Sequence, residues 1–285
     1  MSSGKHFHNV LCLSEAKGMD INMKGYAVYS QLIRFVFKQQ FQYRESIWLK
    51  IIGNFLWIYI EISIWKALLG FQTKKGEFQE MLIYICASFA FSLLSYSNVA
   101  NDLSEKVRSG TIAIDLIRPI NLKWYLFWQQ LSMNLFRFCF TGLPVLGVVC
   151  MLWPCDSTMG IYVPIALVSA LMAIVLVFYI QFVIGLLTFW FKEGTYSRML
   201  VNGLMELFSG RKIPLWYYPA FLVTICKLLP FRYTVYEPIA ILLGKYEVFY
   251  SIKIICWQCI WIAIFWRLEK VMWNRIKIRI EIQGG

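Results

Sequence analysis

The chain has 285 residues, of which 59% are hydrophobic and 18% aromatic, and it carries a formal net charge of +12. Soluble domains hold about 45–50% apolar residues, so this composition excludes an ordinary water-soluble fold and makes the membrane the main solvent. Basic residues gather in the cytoplasmic segments of membrane proteins, facing anionic lipid; the positive charge is read that way, and no nucleic-acid partner is expected.

Residues 1–20 are polar and do not lead directly into an apolar core, so no cleavable leader is expected and this end is placed in the cytoplasm. Between Lys24 and Ile47 the apolar Tyr29, Leu32, Ile33, Val36, Phe37 and Phe41 recur at helical spacing, with Gln31, Arg34, Lys38 and Gln42 on the opposite face. That pattern predicts an amphipathic helix lying on the membrane, Arg34 and Lys38 turned to its polar side. Residues 1–47 are taken as one cytoplasmic and interfacial unit and 48–285 as the membrane domain.

Trp48–Leu69 is the first expected span, with Lys50 and Lys66 near its ends and Glu61 deeper in. The second is 81–100. A polar connection, 101–123, follows on the cytoplasmic side and holds Asp102, Glu105, Lys106, Arg108, Asp115, Arg118 and Lys123. The third span is expected over 130–152, with Arg137 near its cytoplasmic start, and the fourth over 161–191. A short fifth, 199–209, meets Ser209 and Gly210, after which Pro214, Pro219 and Pro230 interrupt the apolar sequence. Residues 210–245 are therefore predicted to form short or re-entrant helices at the outer face, shielded from lipid by the rest of the protein. The last span covers 249–266, and 267–285 is a basic tail.

With this topology 17 Lys and Arg residues fall on the cytoplasmic side and 8 on the outer side, as the positive-inside rule requires. The expected fold is an all-α integral membrane protein of about six transmembrane helices, both termini in the cytoplasm, with an interfacial helix and broken outer-face helices before the last span.

The two histidines, His6 and His8, precede every span. That removes imidazole from any intramembrane site and leaves no catalytic residue, cofactor ligand or metal ligand to nominate. The eight cysteines are scattered, and the Cys256/Cys259 pair lies in an apolar run without a neighbouring His. No glycine-rich phosphate loop is present, so ATP cannot be bound by that route. Glu206 is a candidate for lining a substrate path, for pairing with a cation such as Arg137, or for bracketing the helix break after Phe208.

Three stretches in order carry a resemblance. Val107-Arg108-Ser109-Gly110-Thr111-Ile112 leads to Leu116-Ile117-Arg118-Pro119-Ile120-Asn121; Glu206 to Leu215 runs on through Leu229-Pro230-Phe231-Arg232-Tyr233 to Lys245; and Ile282-Gln283-Gly284-Gly285 follows near the end. Together they are similar to the permeases of ABC type-2 exporters, the six-span family found beside drug and antibiotic-resistance ATPases. The resemblance spans about Arg108 onward, the N-terminal third agreeing in layout only. It implies a second permease, identical or related, docked on two ATPase subunits that carry the ATP and Mg, in a bacterial plasma membrane. It also implies an ATPase-coupling element at Glu105, Arg108, Gly110, Ile112, Leu116, Arg118 and Pro119. An outer gate is expected at Glu206, Gly210, Arg211, Pro214, Pro219 and Pro230. The expected cargo is hydrophobic or amphiphilic. An ion-gradient-driven carrier or channel is the alternative, with an intramembrane lipid enzyme a weaker one.

Overall fold

The computed structural model describes residues 25–42, 44–69, 75–117, 121–152, 159–190 and 195–284, and those residues fold as helices and turns with no strand among them. The helices are α1 (Gly25–Gln42), α2 (Arg44–Leu69), α3 (Lys75–Ser95), α4 (Val99–Arg108), α5 (Ile112–Ile117) and α6 (Leu122–Arg137). A π-helical turn at Phe138–Gly142 joins α6 to α7 (Leu143–Leu152). The remainder are α8 (Met159–Leu187), α9 (Thr195–Phe208), α10 (Ala220–Leu228), α11 (Tyr236–Leu242) and α12 (Val248–Gly284). Four stretches, Trp48–Leu68, Phe78–Arg108, Gly160–Leu187 and Val248–Ile276, are long and apolar enough to cross a membrane. Met199–Phe208 is a shorter apolar helix.

Several boundaries differ from those expected, each for a local reason. The helix of the first span begins at Arg44, so 44–47 belong to it and α1 stops at Gln42. The polar connection after the second span is helical again from Val99, and helix resumes at Leu122, eight residues before the expected start of the third span. There Asn121 caps α6, its side chain accepting from the Lys123 amide. Residues 267–284 continue α12 rather than forming a separate tail, because no proline and no glycine before Gly284 interrupts the sequence from Val248. At 1.5 Å per residue α12 is about 55 Å long, well beyond a bilayer core of about 30 Å, whereas the 14 residues of α9 reach about 21 Å.

Helices α8 and α12 pack together along their lengths and carry the other elements. At the end holding the 101–123 connection, Val99, Leu103, Ile112, Leu122, Leu126, Phe178, Phe182, Leu186, Met272 and Ile276 form one core uniting α4, α5, α6, α8 and α12. Its tightest point is Gly185, where an added Cβ would stand 3.0 Å from Leu103 Cδ2 and 3.2 Å from the Ala100 Cα. Ser104 and Thr188 hydroxyls share a hydrogen bond of 2.6 Å beside it. At the opposite end, Tyr84 and Phe91 of α3, Ala173 of α8, and Leu215, Tyr236 and Ile239 of the 210–245 segment build a second core.

Helix α2 stands apart: only 6% of its span window is buried, against 61% for Phe78–Arg108. Its small contact with the bundle is made through Ile58, Cys86 and Val145. An apolar helix so exposed requires lipid or a second chain around it.

Gly185→Leu should lower stability by about 1–3 kcal/mol through overpacking of α4 on α8. Gly203→Ala, at a helical glycine with nothing within 4 Å of its added Cβ, should be neutral or stabilising by up to about 1 kcal/mol. Thermal unfolding of the two purified proteins in one detergent checks the contrast.

Candidate functional site: an exposed connection tip and a capped outer turn

The connection after the second span is two helices, not one, because Gly110 breaks it at φ +72°, in the left-handed region that favours glycine. The Ser109 amide returns to the Glu105 carbonyl and the Gly110 amide to that of Val107, closing α4 before α5 begins. Lys106 pairs with Asp115 across the turn, clamping the two helices. Glu105, Arg108 and Gly110 are exposed, as expected of a surface meant for a partner. Ile112 is not: it is buried in the core against α6 and α8, which corrects the expectation that it is displayed. Ile114, two residues on, is 56% exposed and is the isoleucine that α5 displays instead. Leu116 lies on α5, its side chain outside the described residues, as are Arg118 and Pro119 altogether.

On α1, Arg34 and Lys38 are both exposed, four residues apart on one face, while Val36 is buried and Phe37 meets Phe136 of α6 edge-on at 5.5 Å between centroids. The helix has the polar and apolar faces its sequence predicts.

At the opposite end, α9 stops at Phe208, and Gly210 turns the chain with φ +74°. The turn is crowded as well as left-handed: a Cβ on Gly210 would sit 2.9 Å from the Tyr236 Cβ. Its free backbone groups are taken up by neighbouring helices. Tyr84 of α3 donates its hydroxyl to the Gly210 carbonyl at 2.6 Å, Ser88 donates to the Arg211 carbonyl at 2.8 Å, and the Tyr236 amide donates to the Ser209 carbonyl at 3.0 Å. Glu206 faces Arg211 at 3.3 Å and Lys212 at 3.2 Å. Arg137 lies elsewhere, its guanidinium 5.1 Å above the Tyr96 ring, so the pairing of Glu206 with Arg137 is replaced by a local one across the helix end.

The prolines mark the segments that follow. Pro214 precedes a 3₁₀ turn at Leu215–Tyr217, Pro219 occupies the N-cap of α10, and Pro230 opens a second 3₁₀ turn, Pro230–Thr234. Glu206, Gly210 and Arg211 form one cluster. Pro219 and Pro230 delimit α10.

The strongest polar feature of this end was not among the expected residues. Arg232 and Glu237 form an ion pair with side-chain exposures of 7% and 1%. Burial pushes the Glu237 carboxyl above its ordinary range, and the Arg232 charge pulls it back. Gln258 of α12, fully buried, accepts from the Ser169 hydroxyl at 3.0 Å and donates to the carbonyls of Ser169 at 3.1 Å and Tyr233 at 3.0 Å. The Pro230–Thr234 turn is thereby bolted to α8 and α12. In sequence, Glu237 is the only acid between Glu206 and Glu247, a signal that was available. Gln258 sits in an apolar run like any other polar residue, and nothing marks it.

Glu237→Gln should destabilise the chain by about 3–5 kcal/mol, since it leaves the Arg232 charge buried without its partner. Replacing both, Arg232→Met with Glu237→Leu, should recover most of that loss. A thermal double-mutant cycle on the purified chain measures the coupling, and additive losses would count against a specific pair.

No curated protein sequence matches the chain. The profile of a family described as ABC-2 family transporter protein matches residues 48–284, from the first span to the end of α12. Transporter permeases of this family generally work with ATPase subunits. The match covers most of the chain and agrees with its membrane-spanning helices: this multi-pass membrane protein belongs to the ABC-2 transporter family.

Proposed function

We propose that the chain is the permease of an ATP-driven exporter whose ATP and Mg are bound by two separate ATPase subunits, and that the α4–α5 tip is where those subunits push. The observation that carries this reading is the exposed Ile114, flanked by exposed Glu105, Arg108 and Gly110, at the end of a connection fixed rigidly to α8. An isoleucine facing water on a clamped turn has no role in the chain's own core. A partner surface that covers it gains its burial and meets both charge signs at the rim.

Force applied at this tip passes through Leu103 and Ile112 into α8 with little loss, because Gly185 leaves no slack between α4 and α8. ATP binding closes the two ATPases, displaces the tip and the neighbouring α1, and shifts two permeases, identical or related, between inward and outward packings. The permease performs no covalent step. The cargo moves along the interface between permeases; the apolar, lipid-accessible flank of α2 suits one that is hydrophobic or amphiphilic, entering from the membrane. The positive-inside count supports an orientation with both termini in the cytoplasm, the family resemblance supports a bacterial plasma membrane, and the turn at Gly210 then faces outward as the gate.

Affinity purification of the chain from its host in mild detergent should recover a phosphate-loop ATPase. Ile114→Asp should reduce that recovery about tenfold, the equivalent of about 1.4 kcal/mol, and Arg118→Glu should weaken it as well, with the chain itself still folded. Purification of the wild-type chain alone in several detergents would overturn the proposal and favour an ion-coupled carrier or channel.

A further inference from the structure

Helix α3 ends at Ser95 and helix resumes at Val99, leaving Tyr96, Ser97 and Asn98 outside any helix. The exposed carbonyls of that break are held by one side chain of α6: the Asn134 amide donates to Leu94 O at 2.7 Å and to Tyr96 O at 2.5 Å. Gln130, one turn earlier on α6, accepts from the Asn98 amide at 3.2 Å and donates to Asn134 Oδ1 at 3.0 Å. Both glutamine and asparagine are buried. A single pair spaced four residues apart thus satisfies the break from the next helix.

The same level holds a second irregularity. Arg137 lies over Tyr96, and directly after it α6 loosens into the π-helical turn Phe138–Gly142, where Gly142 leaves room for the Phe138 ring. π turns are frequent at functional sites. Helix α1 also docks here, through Phe37 on Phe136. Packing at the break is loose: a cavity of about 10 Å³ is lined by Leu94, Tyr96, Ser97, Gln130, Asn134 and Phe178, among others. That volume suits one water and no cargo. The Ser97 hydroxyl is enclosed there without a hydrogen-bond partner among the described residues.

Beyond these two irregularities α2, α3, the π turn and α7 pack on one another, α3 also resting on α8 and α11 through the core around Tyr84 and Phe91, while before them α4 is packed more closely on α8. Helices α8 and α12 cross the level uninterrupted. We propose that the Tyr96–Asn98 break and the Phe138–Gly142 turn are paired joints on which α2, α3 and α7 pivot against the α8–α12 frame, with Asn134 as the latch. At the far end the pivoting unit is tied to the frame by the core around Tyr84 and Phe91 and by the bonds of Tyr84 to Gly210 and of Ser88 to Arg211. Movement at the joints therefore loads those two bonds, connecting the α4–α5 tip to the turn at Gly210. Asn134 acts as a positioning residue, through backbone it holds and not through any contact with cargo.

The inference rests on the exporter reading for its energy source, and hydrogen–deuterium exchange separates the two. In the complex with its ATPase in lipid nanodiscs, a non-hydrolysable ATP analogue should change exchange in 94–101 and 137–144 together, by about tenfold, with 170–187 unchanged. In the permease alone, Asn134→Asp removes both donated bonds and should speed exchange in 94–101 by about tenfold. In the complex it should abolish the nucleotide-dependent change there, which a merely structural role would leave in place. If Asn134→Asp fails to fold, Gln130→Leu, which frees only the Asn98 amide and one Asn134 contact, serves the same comparison. Joint segments that keep their exchange on nucleotide binding, or a change spread equally along 170–187, would overturn the paired joints. Unaltered 94–101 exchange in the Asn134 variant would overturn the latch. A chain that recruits no ATPase defeats the exporter reading, and the Asn134 variant alone then decides whether the latch exists.

Discussion

Inside a bilayer an unpaired backbone amide or carbonyl costs several kcal/mol, because no water is present to replace a lost helical bond. That constraint decides where this chain can leave the helix. Three departures among the described residues are met by polar side chains from neighbouring helices: Asn134 and Gln130 at the Tyr96–Asn98 break, Tyr84 and Ser88 at Gly210, and Gln258 at the Pro230–Thr234 turn. The partners come from helices far away in sequence, so each of these three breaks is also a tertiary tie. The buried Ser88, Gln130, Asn134 and Gln258 are therefore explained by the backbone they hold.

The same constraint explains the buried Arg232–Glu237 pair. Two charges removed from water hold each other at a steep desolvation cost, and such a pair gives little net stability over well-packed apolar residues. Its effect is selective: packings that separate Arg232 from Glu237 leave an isolated charge in low dielectric and are strongly disfavoured. The short elements between Pro230 and Leu242, too brief to be stable as isolated helices, thereby adopt one arrangement. They form a fixed abutment beside the Gly210 turn, whose own charges, Glu206, Arg211 and Lys212, are half exposed and far cheaper to rearrange.

What the sequence made legible follows from how local each signal is. Apolar runs over Trp48–Leu69 and 161–191 predict their helices, the second of which ends at Leu187, because crossing a bilayer requires about twenty consecutive apolar residues. The polar face of α1, with Arg34 and Lys38, is likewise a one-helix pattern. Gly210 and the prolines after it correctly forecast broken structure, since each acts on its own backbone. Ile112 and Ile114 could not be told apart, because which isoleucine points inward depends on where α5 lies against α6 and α8. The role of Asn134 was invisible for a similar reason: an asparagine in a helix is marked only by the carbonyls it reaches, and those lie 38 and 40 residues away.

Continuous and interrupted helices divide the work in this fold. Helix α8 carries Pro164 near its start and runs without proline from there to Leu187, α12 has no break over 37 residues, and the two pack on each other. A long apolar helix bends only slightly unless a proline, a π turn or an inserted side chain weakens its ladder; Pro164 lies towards the far end of α8, away from Ile174 and Phe178 at the level of the joints, so across that level the pair behaves as a beam. The α3–α4 and α6–α7 rods are each weakened once, at the same level, and the Tyr96–Asn98 break is bridged by bonds worth about 1 kcal/mol apiece in net terms. Deformation concentrates where restoring forces are smallest. A load on the exposed α4–α5 tip is therefore borne without deformation by α8 and relieved at Tyr96–Asn98, and the displacement that results appears at the far end of α3, where Tyr84 holds the Gly210 turn.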